Sequence, residues 1–255
     1  MKIKVLGCSG AEFPGFGPPA FLLDDRILLD AGTITGSLDE VAQKKISHIL
    51  ITHAHLDHIR GIPTLADNMF LVNQKHSFTL MGIKKVLQLI KNNLFNNAVW
   101  PDFTVIPSPQ KPLLKLKTVK TGKSFKINNY KIIAEKVNHS IAAAGYIIED
   151  LKGKRLIYTG DTGPTASLWK RANAKRVKAG ISGLIIEVTF PNKMREAAIR
   201  TGHLTPNMLL NELKKLNQPP SRIFITHTKP QYLKIITKEL NSLKFRQLTI
   251  LENGE

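Results

Sequence analysis

The sequence predicts a mixed α/β protein. Short apolar runs, separated by turn residues, recur along the whole chain and indicate strands. In some intervals between them, apolar residues recur every three or four positions, which indicates helices. With 255 residues, of which 42% are hydrophobic, the chain can bury a large core. We therefore expect residues 1–255 to form one globular domain.

Eleven apolar runs are predicted as strands because they are rich in Ile, Val and Leu and are bounded by turn residues. In order, they are residues 2–6, 20–24, 26–30, 47–51, 103–106, 131–137, 144–149, 155–159, 183–188, 222–226 and 247–251. No internal repeat or long linker separates them, which favours a single domain.

Three segments are predicted as helices. The clearest spans residues 82–95, and its apolar stripe comprises Ile83, Val86, Leu87, Ile90 and Leu94. A second begins near Thr205, with Pro206 in its first turn, and a third follows Pro230. The Pro- and Asn-rich residues 92–112 are expected to form a loop at the rim of a functional site.

Five of the predicted strands end in polar residues. Their sequences are RILLDAG (26–32), HILITHAH (48–55), RLIYTGDTG (155–163), GLIIEVTF (183–190) and IFITHTK (223–229). Open α/β sheets bind ligands at the carboxyl ends of their strands. We therefore expect these polar residues to converge on one site.

The chain is strongly basic, with a net charge of +18 from 37 basic and 19 acidic residues. Residues 1–60 carry six basic and seven acidic groups, so the positive excess lies in the rest of the chain. Such a charge favours phosphates, nucleotides or RNA as partners, but a solvated lysine-rich surface explains it equally well. The basic stretch at 169–180 matches no RNA-binding consensus.

Cys8 is the single cysteine. It excludes an internal disulfide framework and fits a reducing compartment. The sequence shows neither a secretory signal nor a membrane-spanning run. We therefore expect a cytoplasmic protein that does not associate with membranes.

The stretch ILITHAHLDHIRG at 49–61 places three histidines and one aspartate directly after a predicted buried strand. His53, His55, His58 and Asp57 offer imidazole nitrogens and a carboxylate, which suit zinc and similar transition metals. On a tight loop, residues 53 and 55 can face one ion while residues 57 and 58 face a second. Each of these polar groups, if buried without a hydrogen-bond or metal partner, would destabilise the fold by about 1–3 kcal/mol. The spacing therefore predicts a metal centre.

Two ions need further ligands, and three residues elsewhere have suitable settings. His139 lies between two predicted strands, His227 follows another, and Asp161 lies between glycines that allow a sharp turn. Taken alone, each has an ordinary structural explanation, as a core histidine or as an aspartate that caps a turn. Together with the first cluster, they complete a plausible set of ligands.

In this order along the chain, the HAHLDH motif, a later histidine, an aspartate in a GD turn and a last histidine after a strand resemble the metallo-β-lactamase fold superfamily. The resemblance runs from about residue 3 to residue 240. It implies a four-layer αββα sandwich of two mixed sheets, with a dinuclear metal centre at one edge of the sheets.

The resemblance also assigns the ligands by position. The first ion would take His53, His55 and His139, the second Asp57, His58 and His227, and Asp161 would bridge them. In addition, Asp30 matches an aspartate that supports the metal loop. The two ions are expected to be Zn²⁺, with Mn²⁺ or Fe²⁺ as alternatives.

Motifs that resemble two groups within the superfamily imply phosphodiester chemistry. EVTF at 187–190 and GHLTP at 202–206 resemble elements of the RNA 3′-end-processing endonucleases, which implies that Glu187 orients His203 as a proton donor. More strings are similar to the class II cyclic-nucleotide phosphodiesterases: THAHLDHIRG, VWPD, GDTGPTASLW, IIEVTFPN, GHLTP and ITHTKP. An aspartate at 161, where β-lactam hydrolases commonly have cysteine, argues against antibiotic hydrolysis.

The expected function is therefore hydrolysis of 3′,5′-cyclic AMP or GMP to the 5′-monophosphate by a dinuclear enzyme, with Asp57, His203 and Glu187 as catalytic residues. An RNA 3′-end-processing endonuclease is one alternative, although the chain lacks a Gly/Pro-rich arm like the one that grips RNA in that group. A second alternative is a metal-containing sensor that binds a nucleotide without turnover. Relatives in this superfamily are often homodimers.

Three aromatic residues, Trp100, Phe190 and Phe16, are candidates for stacking on a base, with ordinary packing as the alternative for each.

Overall fold

The computed structural model describes residues 1–72, 77–174 and 180–254. Within them, two mixed β-sheets face each other and helices cover both outer faces. The predicted α/β class and the αββα arrangement are thereby confirmed. Residues 175–179 of the basic stretch and Glu255 of the predicted domain lie outside the described residues.

The first sheet has the strand order β1-β2-β3-β4-β5-β6. Its strands are Ile3–Gly7, Ala20–Leu23, Ile27–Leu29, His48–Leu50, Phe78–Gly82 and Leu114–Thr118. Pairing is antiparallel from β1 to β3 and parallel from β3 to β6. The helices of this half are α1 (Glu40–Gln43), α2 (Leu56–Ile59), α3 (Gly61–Val72) and α4 (Lys84–Asn93).

The second sheet has the order β13-β12-β11-β10-β9-β8-β7. In chain order, β7 to β13 are Ser124–Ile127, Tyr130–Lys136, Ala144–Glu149, Arg155–Tyr158, Ile181–Glu187, Ile223–Thr226 and Leu248–Ile250. Strands β10 to β13 pair in parallel, and β7 to β10 pair antiparallel. The helices are α5 (Ser167–Ala172), α6 (Arg195–Thr201), α7 (Pro206–Leu213) and α8 (Leu233–Ser242).

In the part of the chain that the structure describes, three apolar clusters separate the four layers. One lies beneath α3 and α4 and includes Leu65 and Val86, a second lies between the sheets and includes Phe21, and a third lies beneath α5 to α8 and includes Trp169 and Ile236. Each fully buried large apolar side chain contributes about 1.5–3 kcal/mol relative to its exposed state. Both sheets are therefore fixed on two faces, which makes their strand ends a rigid base for a site.

Most predicted elements are present. Ten of the eleven predicted strands appear within one or two residues of their expected bounds, and the three predicted helices are α4, α7 and α8. Helix α7 begins as expected, with the Thr205 side chain accepting a hydrogen bond from the backbone N–H of Met208. The region 92–112 follows α4 without regular strands or helices after residue 93, as predicted for a loop.

The predicted strand at 103–106 is wrong. The Asp102 carboxylate accepts hydrogen bonds from the backbone N–H of Thr104 (3.1 Å) and from its hydroxyl (2.5 Å), and these local bonds favour a turn over a strand. Phe103 is buried because the turn directs it into the cluster beneath α4. Strands β5, β6 and β7 were not predicted. In β6 and β7, lysines take the alternate positions and shorten the apolar runs.

The parallel strands place the polar residues that follow them at a common edge. In the first sheet Leu29 at the end of β3 lies opposite Leu50 at the end of β4, so Asp30 and Thr52 follow side by side. In the second sheet, Glu187 lies opposite Thr226. None of the helices in the described residues is long and apolar enough to cross a membrane.

Candidate metal centre

The HAHLDH loop leaves β4 and enters α2 within a few residues. Thr52 and His53 are fully buried behind the strand end, and His55 occupies the N-cap position of α2. This tight turn brings His53 Nε2 to 3.0 Å from His55 Nδ1. His58, one turn into the helix, is also fully buried, so the loop directs its imidazoles inward.

Asp30 holds this loop in place. It is fully buried and has a left-handed backbone with φ of 55°. Its carboxylate accepts hydrogen bonds from the backbone N–H and the hydroxyl of Thr52 (both 2.8 Å), from His58 Nδ1 (2.8 Å) and from the Tyr158 hydroxyl (2.6 Å). Such a fully bonded carboxylate fixes the ring orientation of His58.

Residues from the second sheet complete the cluster. Asp161, buried in the turn after β10, has carboxylate oxygens 3.3 Å from His58 Nε2, 3.3 Å from His227 Nε2 and 3.6 Å from His53 Nε2. His139, in the loop between β8 and β9, places Nε2 at 3.1 Å from His55 Nδ1. The structure therefore brings together residues that are up to 174 positions apart, from His53 to His227.

Asp57 lies at the mouth of the cluster. Its carboxylate is 3.3 Å from His227 Nε2 and 3.7 Å from His58 Nε2, and its side chain is 35% exposed. It is the most accessible carboxylate among the predicted ligands, since Asp161 is almost fully buried.

Among the described residues, three overlapping groups of side chains could hold metal ions, each with its ligand atoms within 4.8 Å of one another. The first group contains His53, His55, His139 and Asp161; the second contains Asp57, His58 and His227; the third contains Asp161, His203 and His227. The first two match the predicted division into two ion sites. The third was not predicted, because the sequence assigned His203 only to proton donation.

The residues fit a divalent cation. His58 Nδ1 is hydrogen-bonded to Asp30. Its buried Nε2 makes no hydrogen bond within the described residues, although carboxylate oxygens of Asp161 and Asp57 lie 3.3 and 3.7 Å away. Without a proton, this nitrogen points a lone pair at the carboxylates of Asp57 and Asp161. That arrangement costs free energy unless a cation binds between these acceptors. Imidazole nitrogens and carboxylate oxygens together are the donors that zinc and related ions take.

The electrostatics of the cluster also favour cations. Burial opposes charge on Asp161, yet His227 and His58 hold its pKa well below the ordinary value. Burial likewise opposes charge on His58, but Asp161 and Asp30 raise its pKa well above the ordinary value. Burial lowers the pKa of His53, which keeps this imidazole neutral and able to bind an ion. A proton on His58 thus occupies the place where a metal ion would compete with it.

Glu187 and His203 lie beside the cluster. Glu187, fully buried at the end of β11, has Oε1 at 2.7 Å from His203 Nδ1. Although burial opposes the charged imidazole, the Glu187 carboxylate raises the pKa of His203. The His203 ring stacks on the His227 ring with centroids 5.3 Å apart, so a proton on His203 lies next to the candidate ligands.

Glycines allow the turns at this edge to approach closely. Gly160, which precedes Asp161, has φ of 59°, and a Cβ there would lie 2.6 Å from Thr52 Cβ. Gly202, which precedes His203, has φ of 72°, and its carbonyl accepts from His139 Nδ1 at 2.9 Å. Left-handed backbone and close contact both require glycine here.

The aromatic candidates have different surroundings. Trp100 packs against the cluster beneath α4. Phe190 is close to the site, with its ring centroid 5.8 Å from that of His203 and 5.8 Å from the Lys229 ammonium. Phe16 lines a separate cavity of about 600 Å³, together with Arg60 and Thr33.

Sequence reasoning missed three side chains that hold the candidate ligands: Thr52, Tyr158 and Thr189. Thr52 and Thr189 each contact a histidine Nδ1, and Tyr158 donates to Asp30. A signal was present for Thr189, since residues two apart in an extended segment face the same side and Glu187 was already a candidate.

Comparison with known families decides the relationship. Residues 25–228 match the family described as beta-lactamase superfamily domain. The chain belongs to the beta-lactamase superfamily. The matched range contains all seven predicted metal ligands, and this membership implies divalent metal ions at the cluster.

Relatives in this superfamily carry phosphodiesterase and nuclease names. The chain is 26% identical over 211 residues to the probable 3′,5′-cyclic-nucleotide phosphodiesterase of Yersinia pestis, an alignment that covers 75% of this chain and 60% of that protein. It is 29% identical over 167 residues to ribonuclease Z of Methanocaldococcus jannaschii, covering 61% of this chain and 50% of that protein. The chain thus spans between half and two thirds of the length of these relatives.

A solved structure shares the fold. Unliganded yeast PDE1 superimposes with a TM-score of 0.82 at 21% identity, covering 98% of this chain and 97% of that one. At this identity the likeness shows that the two chains share the fold, and no more.

Proposed function

We propose that this protein is a dinuclear metal-dependent phosphodiesterase that hydrolyses 3′,5′-cyclic nucleotides to 5′-monophosphates. One observation carries the proposal: seven ligand-capable side chains converge at one edge of the sandwich, directly beside the Glu187–His203 pair. Similarity to relatives named as cyclic-nucleotide phosphodiesterases supports this choice of substrate.

The proposed ligands divide between two ions. His53, His55 and His139 would hold the first ion, Asp57, His58 and His227 the second, and Asp161 lies within reach of both groups. Zn²⁺ is the proposed metal because imidazoles dominate the donor set, with Mn²⁺ or Fe²⁺ able to use the same donors. When bound, two such ions supply Lewis-acid chemistry, which polarises phosphoryl oxygens and lowers the pKa of water.

His203 is the proposed proton donor. Its Nδ1 is hydrogen-bonded to Glu187, so Nε2 is left to donate, and the raised pKa favours the protonated ring. In the proposed reaction a water oxygen bonds to phosphorus and loses a proton to solvent, the bond from phosphorus to the 3′ oxygen breaks, and the 3′ oxygen takes the proton from His203. Solvent then returns a proton to His203. Asp57 is the third proposed catalytic residue, since its carboxylate is 35% exposed at the mouth of the cluster and lies 3.3 Å from His227 Nε2.

The test is a substrate panel on metal-loaded protein. Cyclic AMP and cyclic GMP should give the 5′-monophosphates, whereas the variant Asp161→Ala should lose both metal and turnover. Hydrolysis of neither cyclic nucleotide, with cleavage of precursor tRNA instead, would contradict the proposal. Binding of a cyclic nucleotide without any turnover by the unaltered protein would instead identify the sensor that the sequence also allows.

A second function, RNA 3′-end processing, is favoured by one structural feature. Residues 103–134 contain seven lysines and no acidic residue, and they include β6 and β7, which are edge strands of the first and the second sheet. The lysines are all exposed: Lys111, Lys115, Lys117, Lys120, Lys123, Lys126 and Lys131. This lysine-rich edge, residues 103–134, suits a phosphate backbone, and relatives named ribonuclease Z exist.

A homodimer is also proposed, and light scattering during gel filtration measures the oligomeric state.

A further inference from the structure

Two buried threonines occupy equivalent places in the two halves of the site. In the first half, Thr52 Oγ1 lies 3.0 Å from His53 Nδ1 and donates to Asp30 Oδ2 at 2.8 Å. In the second half, Thr189 Oγ1 lies 2.8 Å from His227 Nδ1 and donates to Glu187 Oε2 at 2.6 Å. Each hydroxyl therefore links a candidate metal ligand to a buried carboxylate.

The donor count fixes the direction of the bonds around Thr189. A hydroxyl has one proton, and a carboxylate can only accept, so the Thr189 proton goes to Glu187. The Thr189 oxygen then accepts from His227 Nδ1–H, and the lone pair of His227 lies on Nε2. That nitrogen is 3.3 Å from both Asp57 and Asp161, on the side where an ion would bind.

Glu187 is held by four donors, two on each oxygen. Oε1 accepts from the backbone N–H of Thr162 (2.9 Å) and from His203 Nδ1 (2.7 Å). Oε2 accepts from the Thr189 hydroxyl and from the backbone N–H of Leu204 (3.2 Å). A carboxylate with every bond made transmits a displacement of one partner to the others, because no bond can be exchanged for one to water in a fully buried place.

The arrangement differs between the halves in one respect. Asp30 contacts Thr52, His58 and Tyr158 but not the proton donor. Glu187, in contrast, contacts His203 directly and His227 through Thr189, and Thr189 Oγ1 itself lies 3.2 Å from His203 Nδ1. Only the second threonine thus lies between a metal ligand and the proposed acid.

We infer that Thr189 is a positioning residue that couples His227, a ligand of the second cation, to the Glu187–His203 pair. Its hydroxyl sets the His227 tautomer for ion binding and at the same time completes the bonding of the carboxylate that orients His203. Occupation of the second ion site and the orientation of the proton donor are therefore linked. The part that concerns proton donation rests on the proposed function, whereas the part that concerns ion binding does not.

The test compares Thr189→Val, which keeps the side-chain shape but removes the hydroxyl, with Thr52→Val as the matched control. Zinc affinity is measured by competition with a chromogenic chelator. The ring signals of His203 are followed by NMR of zinc-loaded protein with ¹⁵N-labelled histidine. Loss of such a supporting bond typically weakens metal binding about 10–100-fold, so both variants should bind zinc more weakly.

The two variants should differ in the NMR spectrum. Thr189→Val should shift or broaden the His203 signals, Thr52→Val should leave them in place, and Thr189→Ser should restore both zinc affinity and the signals. Unchanged His203 signals in Thr189→Val, or unchanged zinc affinity, would overturn the inference. Both measurements are independent of turnover, so absence of cyclic-nucleotide hydrolysis by the unaltered protein would contradict the proposed function alone.

Kinetics then add a second readout of the same link. With aryl phosphodiesters of graded leaving-group pKa, Thr189→Val should reduce kcat most for the poorest leaving groups, because these need a proton most. An equal reduction for all leaving groups would mean that the hydroxyl serves ion binding only, and the coupling would be refuted.

Discussion

At the scale of single residues, the site depends on carboxylates that are buried and fully bonded. Asp30 and Glu187 are both fully buried, and each accepts four hydrogen bonds from neighbouring groups. Burying a carboxylate is costly unless donors compensate it. The surrounding imidazoles and hydroxyls do so, and in return their own orientations are fixed.

Replacement of the proposed acid should reduce turnover without removing metal. His203→Gln keeps a polar side chain but has no titratable proton, so kcat for cyclic nucleotides should fall about 10²–10⁴-fold. Zinc content should remain near that of the unaltered protein, as measured by atomic emission. An unchanged kcat would show that another group supplies the proton.

The pH dependence of kcat should change when Glu187 is replaced. Because Glu187 raises the pKa of His203, the protonated ring persists above the ordinary value of about 6.5, and kcat should decline only as pH rises through the raised pKa. In Glu187→Gln this alkaline decline should move to lower pH, since the raising charge is gone. A decline at the same pH in both proteins would assign it to a different group.

At the scale of elements, the turns after the parallel strands determine the geometry. The turn after β10 contains Gly160 with φ of 59°, and any Cβ at that position meets Thr52, the residue that precedes His53. The Gly160 backbone therefore packs against the Thr52 side chain and brings the two halves of the site together. These two strand ends come from different sheets, and they can approach this closely only because Gly160 has no side chain.

Gly160→Ala should damage both stability and metal binding. The left-handed backbone alone costs about 1–2 kcal/mol for a residue with a Cβ, and the contact with Thr52 adds to it. Gly36→Ala is the matched control, since a Cβ at Gly36 meets nothing within 4 Å, and it should stay within about 0.5 kcal/mol. Urea unfolding measures the stability of both variants, and equal midpoints would refute the prediction.

At the scale of the whole molecule, the metal centre spans two sheets that are otherwise joined through the apolar cluster between them. Ligands from β4, β10 and β12 ends would be tied together by the same ions. Ion binding should therefore stabilise the entire sandwich, because the ligands come together only in the folded state.

Chelation should lower the melting temperature, and added zinc should restore it. Zinc at about 100 times its dissociation constant adds about 2.7 kcal/mol, which corresponds to roughly 5–10 °C for a chain of this size. Calorimetry with and without chelator measures the shift. Asp161→Ala lacks the carboxylate that lies within 3.6 Å of histidines in both proposed ion sites, so it should show little of this shift. A full shift in that variant would contradict the proposed ligand set.

The lysine-rich edge gives a prediction about RNA. Lys115→Glu, Lys117→Glu and Lys126→Glu together should weaken binding to tRNA and reduce its salt dependence, because each phosphate contact contributes about one unit to the salt slope. The same change at three exposed lysines elsewhere, Lys214, Lys234 and Lys238, is the matched control. Equal losses for the two triple variants would mean that net charge, not this edge, attracts RNA.

The proportion of the structure that sequence reasoning reached varies with the strength of local signals. Strands with continuous apolar runs, such as β4 and β10, were predicted within one residue, whereas β6 was missed because Lys115 and Lys117 interrupt its run. The 103–106 run was misread because an aspartate outside it, Asp102, dictates a turn. The prediction of one domain over residues 1–255 stays a prediction.

The sequence by itself determined the chemical character of the site and the order of its parts. The HAHLDH spacing and the polar strand ends are local features, and their meaning depends on residue type and alternation, which a chain displays before it folds. Tertiary structure alone decided which groups meet: His139 with His55, Asp161 with both histidine groups, and Thr189 between His227 and Glu187. These contacts arise from the register of strands in two separate sheets and from how the sheets pack, and neither is encoded in any one segment.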